Sequence, residues 1–217
     1  MTIYRVGISA GHNPEAQGAK DRDPDDRNTM VTEFDYTVPW QAELIKQIKE
    51  FEPESDYLHI VPLFVETGKL GYKVEQVNIT KCDLAIEIHF NAGAKTDGCE
   101  TLFAPNSAGG EEAARVIHTQ YAAAMGNRNR GIKEGWYKMD RPGVVDYAGD
   151  VDGDEKPDYF LAKTHMPALI LEPEFMYSIG NARDKMVDAC AAIVIGINEL
   201  AVRKLSAENA PPEKSDG

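Results

Sequence analysis

Short apolar segments alternate with longer amphipathic segments along most of this chain, and this alternation limits the possible folds more than any other feature. In the run from Asp83 to Phe90, apolar residues alternate with Glu87 and His89, as in a strand. The main predicted strands are residues 3–8, 57–65, 83–90 and 168–171, with a shorter one at 100–104. The predicted helices are residues 34–51, 69–81, 109–124 and 181–204. This order predicts an α/β fold, with a mostly parallel twisted sheet flanked by helices on both faces.

The length of 217 residues fits one domain, which we place at residues 1–204. Residues 205–217 are polar and predict a disordered tail. Two long polar segments, 13–32 and 139–158, are predicted as loops. Loops of this length in a compact domain are usually functional, so both are candidates to line a ligand cleft.

The formal net charge of −13 argues against nucleic-acid binding and against docking on an anionic membrane. Cys82, Cys99 and Cys190 are odd in number and form no CxxC pair, so reduced thiols are expected. The first residues lack the basic and apolar regions of a signal peptide. No apolar run reaches the length of a membrane span. We therefore expect a protein that is made in the cytoplasm and does not insert into membranes. We also expect it to be a monomer.

Three candidate site residues lie at or just beyond the ends of predicted strands: His12, His89 and Glu172. In open parallel sheets, ligands bind at the carboxyl ends of the strands. Either histidine by itself is equally well explained as a hydrogen-bonded polar residue, and Glu172 could simply cap the next segment. Partial burial at the strand end would instead raise the pKa of Glu172 toward the range of a general base.

Two further glutamates are ambiguous on local grounds. Glu33 opens the first predicted helix, where the helix dipole favours any acidic residue. Glu87 lies on the same strand face as His89, so it could orient a metal-bound histidine. A solvated carboxylate or an internal ion pair would explain Glu87 equally well.

Several short motifs occur together in one order along almost the whole chain. They are AGHN (10–13), Gly18-Ala19, EFDYTVPWQAELIKQIK (33–49), EIHFNAG (87–93), NRGIKE (129–134) and MPALILEPEF (166–175). Together they resemble the type 3 family of N-acetylmuramoyl-L-alanine amidases, which includes cell-wall amidases and phage endolysins.

The resemblance implies roles for five residues. His12, Glu33 and His89 match the zinc ligands, Glu172 matches the catalytic glutamate, and Asn91 matches the asparagine beside the second histidine. Asn91 could bind substrate or hold the site loop. The sequence departs from the family pattern at several positions: Asn13-Pro14 replaces glycines, Glu87 replaces a serine, Phe90 replaces an alanine and Glu174 replaces a glycine. Glu174 is thus a second carboxylate next to the expected base.

The resemblance implies a zinc-dependent hydrolase that cleaves the amide between N-acetylmuramic acid and L-alanine in peptidoglycan. The expected setting is phage lysis, with the enzyme reaching the wall after release through a pore made by another protein. The alternatives are a zinc carboxypeptidase or deacylase acting on another amide, and a wall-binding module without catalysis.

The remaining candidates receive a simpler interpretation. Asp150, Asp152 and Asp154 are spaced as in a calcium loop, but the closing glutamate is absent, which favours a solvated acidic loop. His59, His118 and His165 lack the spacing of metal ligands. His165, the nearest of them to Glu172 in sequence, is kept as a reserve candidate for substrate contact.

Overall fold

A computed structural model describes residues 1–93, 95–138 and 155–210. Its centre is a six-stranded sheet, as the alternating pattern predicts. The sheet strands are β1 (Thr2–Ala10), β4 (Leu58–Val65), β5 (Leu84–Ile88), β6 (Cys99–Phe103), β7 (Asn129–Glu134) and β10 (Ala168–Glu172). Two small hairpins stand apart, formed by β2 (Lys20–Arg22) with β3 (Met30–Thr32) and by β8 (Trp136–Lys138) with β9 (Glu155–Pro157).

The spatial order of the sheet is β4-β1-β5-β10-β6-β7. The first four strands pair in parallel, β6 pairs antiparallel with β10, and β7 pairs in parallel with β6. The sheet is therefore mostly parallel, and β1, β5 and β10 lie side by side with their carboxyl ends at one edge. Strand β4 is an edge strand, and this accommodates Pro62 because proline has no backbone N–H and an edge strand has a hydrogen-bonded neighbour on one side only.

Within the described part of the chain, five α-helices cover the two faces of the sheet: α1 (Glu33–Glu50), α2 (Leu70–Ile79), α3 (Ala108–Met125), α4 (Tyr159–Lys163) and α5 (Ile179–Glu208). Helices α1, α3 and α5 pack on one face, over the larger core. Helices α2 and α4 pack together on the other face, over a smaller core that includes Val77, Ala85 and Ile170. The prediction of helices on both faces is confirmed.

Local chemistry sets where the first helix begins. The hydroxyl of Thr32 accepts a hydrogen bond from the backbone N–H of Asp35, and the Asp35 carboxylate accepts one from the backbone N–H of Thr32. This reciprocal cap satisfies two of the free donors at the helix start. It places Glu33 in the first turn, next to the carboxyl end of the sheet.

Several segments differ from the sequence-based prediction. The loop predicted at 13–32 contains the β2–β3 hairpin, and NRGIKE forms strand β7, for which no strand was predicted. Helix α5 continues to Glu208, so the tail predicted to begin at residue 205 is helical in its first part. Most of the acidic loop, including Asp150, Asp152 and Asp154, lies outside the described residues, as do residues 211–217.

The three cysteines are buried free thiols, in agreement with the prediction of reduced cysteines. Across residues 1–93, 95–138 and 155–210, none of the helices has both the length and the apolar character needed to cross a bilayer.

Candidate metal centre and neighbouring carboxylates

Three adjacent strands bring the predicted site residues to one edge of the sheet. His12 follows the end of β1, His89 follows the end of β5, and Glu172 is the last residue of β10. Because these strands are parallel neighbours, their carboxyl ends meet, as the strand-end rule predicts.

His12, Glu33 and His89 form one cluster, called here the His–Glu–His cluster. The Glu33 carboxylate lies between the imidazoles, with Oε2 2.8 Å from Nε2 of His12 and Oε1 3.0 Å from Nδ1 of His89. One potential ligand atom from each residue lies within 4.8 Å of the others. These nitrogen and oxygen donors are the types that bind zinc, and their spacing fits a single metal ion.

The cluster perturbs the acid–base properties of its members. Burial alone would raise the pKa of Glu33, but hydrogen bonds from His12 and His89 and their charges outweigh burial and lower the pKa well below its ordinary value. Burial lowers the pKa of His89, but Glu33 and Glu87 outweigh it and hold the pKa well above the ordinary value. Glu33 is therefore ionised across the neutral range, as a metal-binding carboxylate must be.

At two glycines beside the cluster, the surrounding atoms leave no room for a side chain. His12 itself has a left-handed conformation, with φ of 63°. Gly18 has φ of +75°, and a Cβ there would lie 2.5 Å from the His12 ring and 2.6 Å from the Glu33 carboxylate. A Cβ on Gly11 would lie 2.7 Å from Nε2 of His89. Both glycines are thus required for the close approach of the loops to the cluster.

Glu172 is the neighbouring carboxylate with free bonding capacity. Glu172 is only 8% exposed, and its buried Oε2 has no hydrogen-bond partner among the described residues. Burial raises the pKa of Glu172 well above the ordinary value; His89 opposes this, while Glu33 and Glu100 add to it. This environment favours the protonated form of Glu172 more than solvent would, which suits a group that takes up a proton and returns it.

Glu174, two residues further on, uses both of its carboxylate oxygens to accept hydrogen bonds from other groups of the protein. One of its oxygens accepts from the backbone N–H of Gly98 at 2.8 Å and from the next backbone N–H after Glu174 itself. The other accepts from the side-chain amides of Asn127 at 2.8 Å and Asn181 at 3.0 Å. Glu174 thus joins its own segment to the loops that contain Gly98 and Asn127 and to helix α5, and its environment differs sharply from that of Glu172.

Asn91 is tied to a second buried carboxylate. Its side-chain amide donates to Glu100 at 2.6 Å, and Glu100 also binds Arg130 at 2.8 Å and Lys133 at 2.5 Å. The backbone N–H of Asn91 donates to the carbonyl of Glu174 at 2.9 Å. Of the two roles suggested for Asn91, these contacts favour holding the site loop.

The remaining histidines lie away from the cluster. His118 is buried and bonded to Thr101 and Asn129, as expected of a core histidine, and His59 lies exposed on strand β4. His165 lines a separate cavity of about 440 Å³ and precedes β10, whereas Glu172 ends that strand. The reserve role of His165 in substrate contact at this site is therefore wrong.

Sequence reasoning named Glu87 as a residue that could orient His89, but it missed the lysine that pairs with Glu87 behind the cluster. Lys73 of α2 is 2% exposed and pairs with the equally buried Glu87 at 2.9 Å. Lys73 lies one residue before Val74, on the buried side of its helix, and this was the available signal. A buried lysine needs a partner of opposite charge.

Comparison with known protein families shows which family this chain belongs to. The Amidase_3 model, described as N-acetylmuramoyl-L-alanine amidase, matches residues 6–189, which is most of the chain. The chain belongs to this amidase family. The matched range includes the His–Glu–His cluster and Glu172, and the match supports peptidoglycan amidase activity. A comparison with curated proteins gave no match.

Solved amidase structures share the fold. The catalytic domain of CwlV from Bacillus (Paenibacillus) polymyxa var. colistinus is 20% identical with a TM-score of 0.68, covering 91% of this chain and 97% of that one. An amidase from Clostridium difficile 630 is 17% identical with a TM-score of 0.68, covering 96% and 100%. The catalytic domain of the CD27L endolysin, which targets Clostridia difficile, is 19% identical with a TM-score of 0.63, covering 90% and 97%. These likenesses show a common α/β fold over nearly the whole chain.

Proposed function

We propose that this protein is a zinc-dependent N-acetylmuramoyl-L-alanine amidase, which hydrolyses the amide between the lactyl group of N-acetylmuramic acid and L-alanine. The observation that carries the proposal is the His–Glu–His cluster beside Glu172, a buried carboxylate with an unpartnered oxygen. The family match supports the choice of substrate.

His12, Glu33 and His89 would hold the zinc ion. Three protein ligands leave a further coordination position open, which is typical of catalytic rather than structural zinc sites. When bound, zinc would supply Lewis-acid polarisation of the amide carbonyl and would increase the acidity of a water molecule.

Glu172 would act as general base and then as general acid. Its unpartnered Oε2 is free to accept a proton from the attacking water. The raised pKa favours uptake of that proton, which Glu172 would then return to the nitrogen of the leaving L-alanine as the amide C–N bond breaks. Glu174 is a poor candidate for this role because both of its oxygens already accept two hydrogen bonds each.

The direct test is clearing of purified peptidoglycan by wild type, Glu172→Ala and His89→Ala. We expect wild type to reduce the turbidity and to release stem peptides with new amino termini on L-alanine, and we expect neither variant to do so. Equal clearing by all three proteins would disprove the proposed site. Clearing without new L-alanine amino termini would instead favour a carboxypeptidase or deacylase.

Metal content provides a second test. Removal of zinc by a chelator should abolish activity, and added zinc should restore it. Protein that binds peptidoglycan with no zinc and no turnover would be the wall-binding module without catalysis.

We further propose phage lysis as the biological setting, supported by the fold shared with the catalytic domain of an endolysin. Production of the protein inside a host cell should cause lysis only when a pore-forming membrane protein is also made. Lysis without the pore-forming protein would contradict this setting.

A further inference from the structure

A buried ion pair lies directly behind the His–Glu–His cluster. Lys73 and Glu87 are each 2% exposed, and Nζ of Lys73 lies 2.9 Å from Oε1 of Glu87. The hydroxyl of Ser9 also donates to this oxygen at 3.2 Å. With Oε1 bound on two sides, the Glu87 carboxylate is held in one orientation, with Oε2 directed elsewhere.

The second oxygen of Glu87 contacts a predicted zinc ligand. Oε2 lies 3.2 Å from Nε2 of His89, while Nδ1 of the same ring lies 3.0 Å from Glu33. The ring therefore has one nitrogen toward Glu87 and the other toward the cluster. An imidazole that donates Nε2–H to a carboxylate keeps the lone pair of Nδ1 for a metal ion.

Lys73 also contacts the strand that carries the other histidine. Its ammonium donates to the backbone carbonyl of Ala10, the last residue of β1 and two residues before His12. One buried side chain thus joins the end of β1 to Glu87 on β5.

We propose that Lys73 and Glu87 are positioning residues for the metal centre, which hold His89 as the Nε2–H tautomer with Nδ1 directed to the zinc. This inference rests on the proposed zinc-dependent function. Stability alone does not explain the pair, because a buried ion pair can often be replaced by apolar residues without loss of stability. Its location, with Oε2 of Glu87 against the ligand ring, is what the positioning role explains.

The test compares wild type with Glu87→Gln and with the double variant Lys73→Met/Glu87→Leu. The double variant removes both charges, so it leaves no unpaired buried ion and is expected to fold. The control is Asp83→Asn, which breaks an ion pair with Lys204 of 2.7 Å just before β5, away from the cluster. Zinc affinity is measured by competition with a chelator, and the His89 tautomer by ¹⁵N NMR of the zinc-loaded protein, which contains five histidines.

We expect the zinc dissociation constant to rise about 10–100-fold in Glu87→Gln and in the double variant, and to stay unchanged in Asp83→Asn. In wild type, the His89 spectrum should show a protonated Nε2 and a zinc-bound Nδ1. A folded double variant that binds zinc as tightly as wild type, or a wild-type spectrum with zinc on Nε2, would overturn the inference. Failure of wild type itself to bind zinc would instead refute the proposed function.

Discussion

Glu172 and Glu174 are two carboxylates of one short segment with opposite environments. Glu172 has a buried oxygen without a partner among the described residues, and its pKa is raised. Glu174 is completely buried, and its oxygens accept four hydrogen bonds from three parts of the chain. The difference teaches that burial alone does not identify a catalytic carboxylate. What supports our proposal for Glu172 is its unpartnered oxygen beside the His–Glu–His cluster.

The largest expected effect is on catalysis by Glu172→Gln. Loss of the general base should lower kcat by about 10²–10⁴-fold while zinc binding stays intact. Amidase kinetics and metal analysis of the purified variant would measure both. The matched variant Glu174→Gln should stay within several-fold of wild-type kcat. Equal losses in the two variants would remove the functional distinction between them.

The next effect concerns the close approach of the loop to the cluster. Gly18→Ala places a Cβ against His12 and Glu33 at a backbone conformation that alanine rarely adopts. We expect displacement of these groups to lower activity by about 100-fold. Gly93→Ala is the control, because Gly93 also has a positive φ but a Cβ there meets nothing within 4 Å. Similar activity in both variants would show that the Gly18 contact is unimportant.

A smaller effect is expected on the stability contributed by Glu174. In Glu174→Gln, an amide group replaces an oxygen that accepts hydrogen bonds, so buried donors lose their partner. The free energy of unfolding should fall by about 1–3 kcal/mol. Denaturant unfolding of the metal-free protein would measure this, and unchanged stability would contradict a structural role for Glu174.

The smallest effect is a pH-dependent gain of stability in metal-free Glu172→Gln. The folded protein raises the pKa of Glu172, so the ionised form is disfavoured by folding. This group favours folding below its unfolded pKa of about 4.3, and that contribution is lost as the pH rises through the folded pKa.

The variant should therefore gain stability over wild type as the pH increases from 4 to 8. Thermal unfolding across this pH range would test the sign. Glu111→Gln, which changes an exposed glutamate paired with Arg115, is the surface control. A stability difference that is independent of pH would argue against a raised pKa.

Periodicity was sufficient to predict the main strands and helices, since their apolar faces are long and regular. The resemblance added Glu33, which by its local sequence is an ordinary first-turn acid. Strand β7 was missed because NRGIKE is polar and its residues remain partly exposed at the sheet edge. The β2–β3 hairpin was missed because its strands have only three residues each.

The sequence by itself determined that His12, His89 and Glu172 lie at or just beyond strand ends. It also predicted that the three residues meet, because the carboxyl ends of parallel strands share one edge of the sheet. Only the tertiary structure decided which groups complete the site. Glu33 and His89 are 56 positions apart, and Lys73 reaches Glu87 from a different helix. It also separated Glu172 from Glu174, because the pKa and hydrogen-bonding capacity of a carboxylate depend on its burial and on partners brought together from distant parts of the chain.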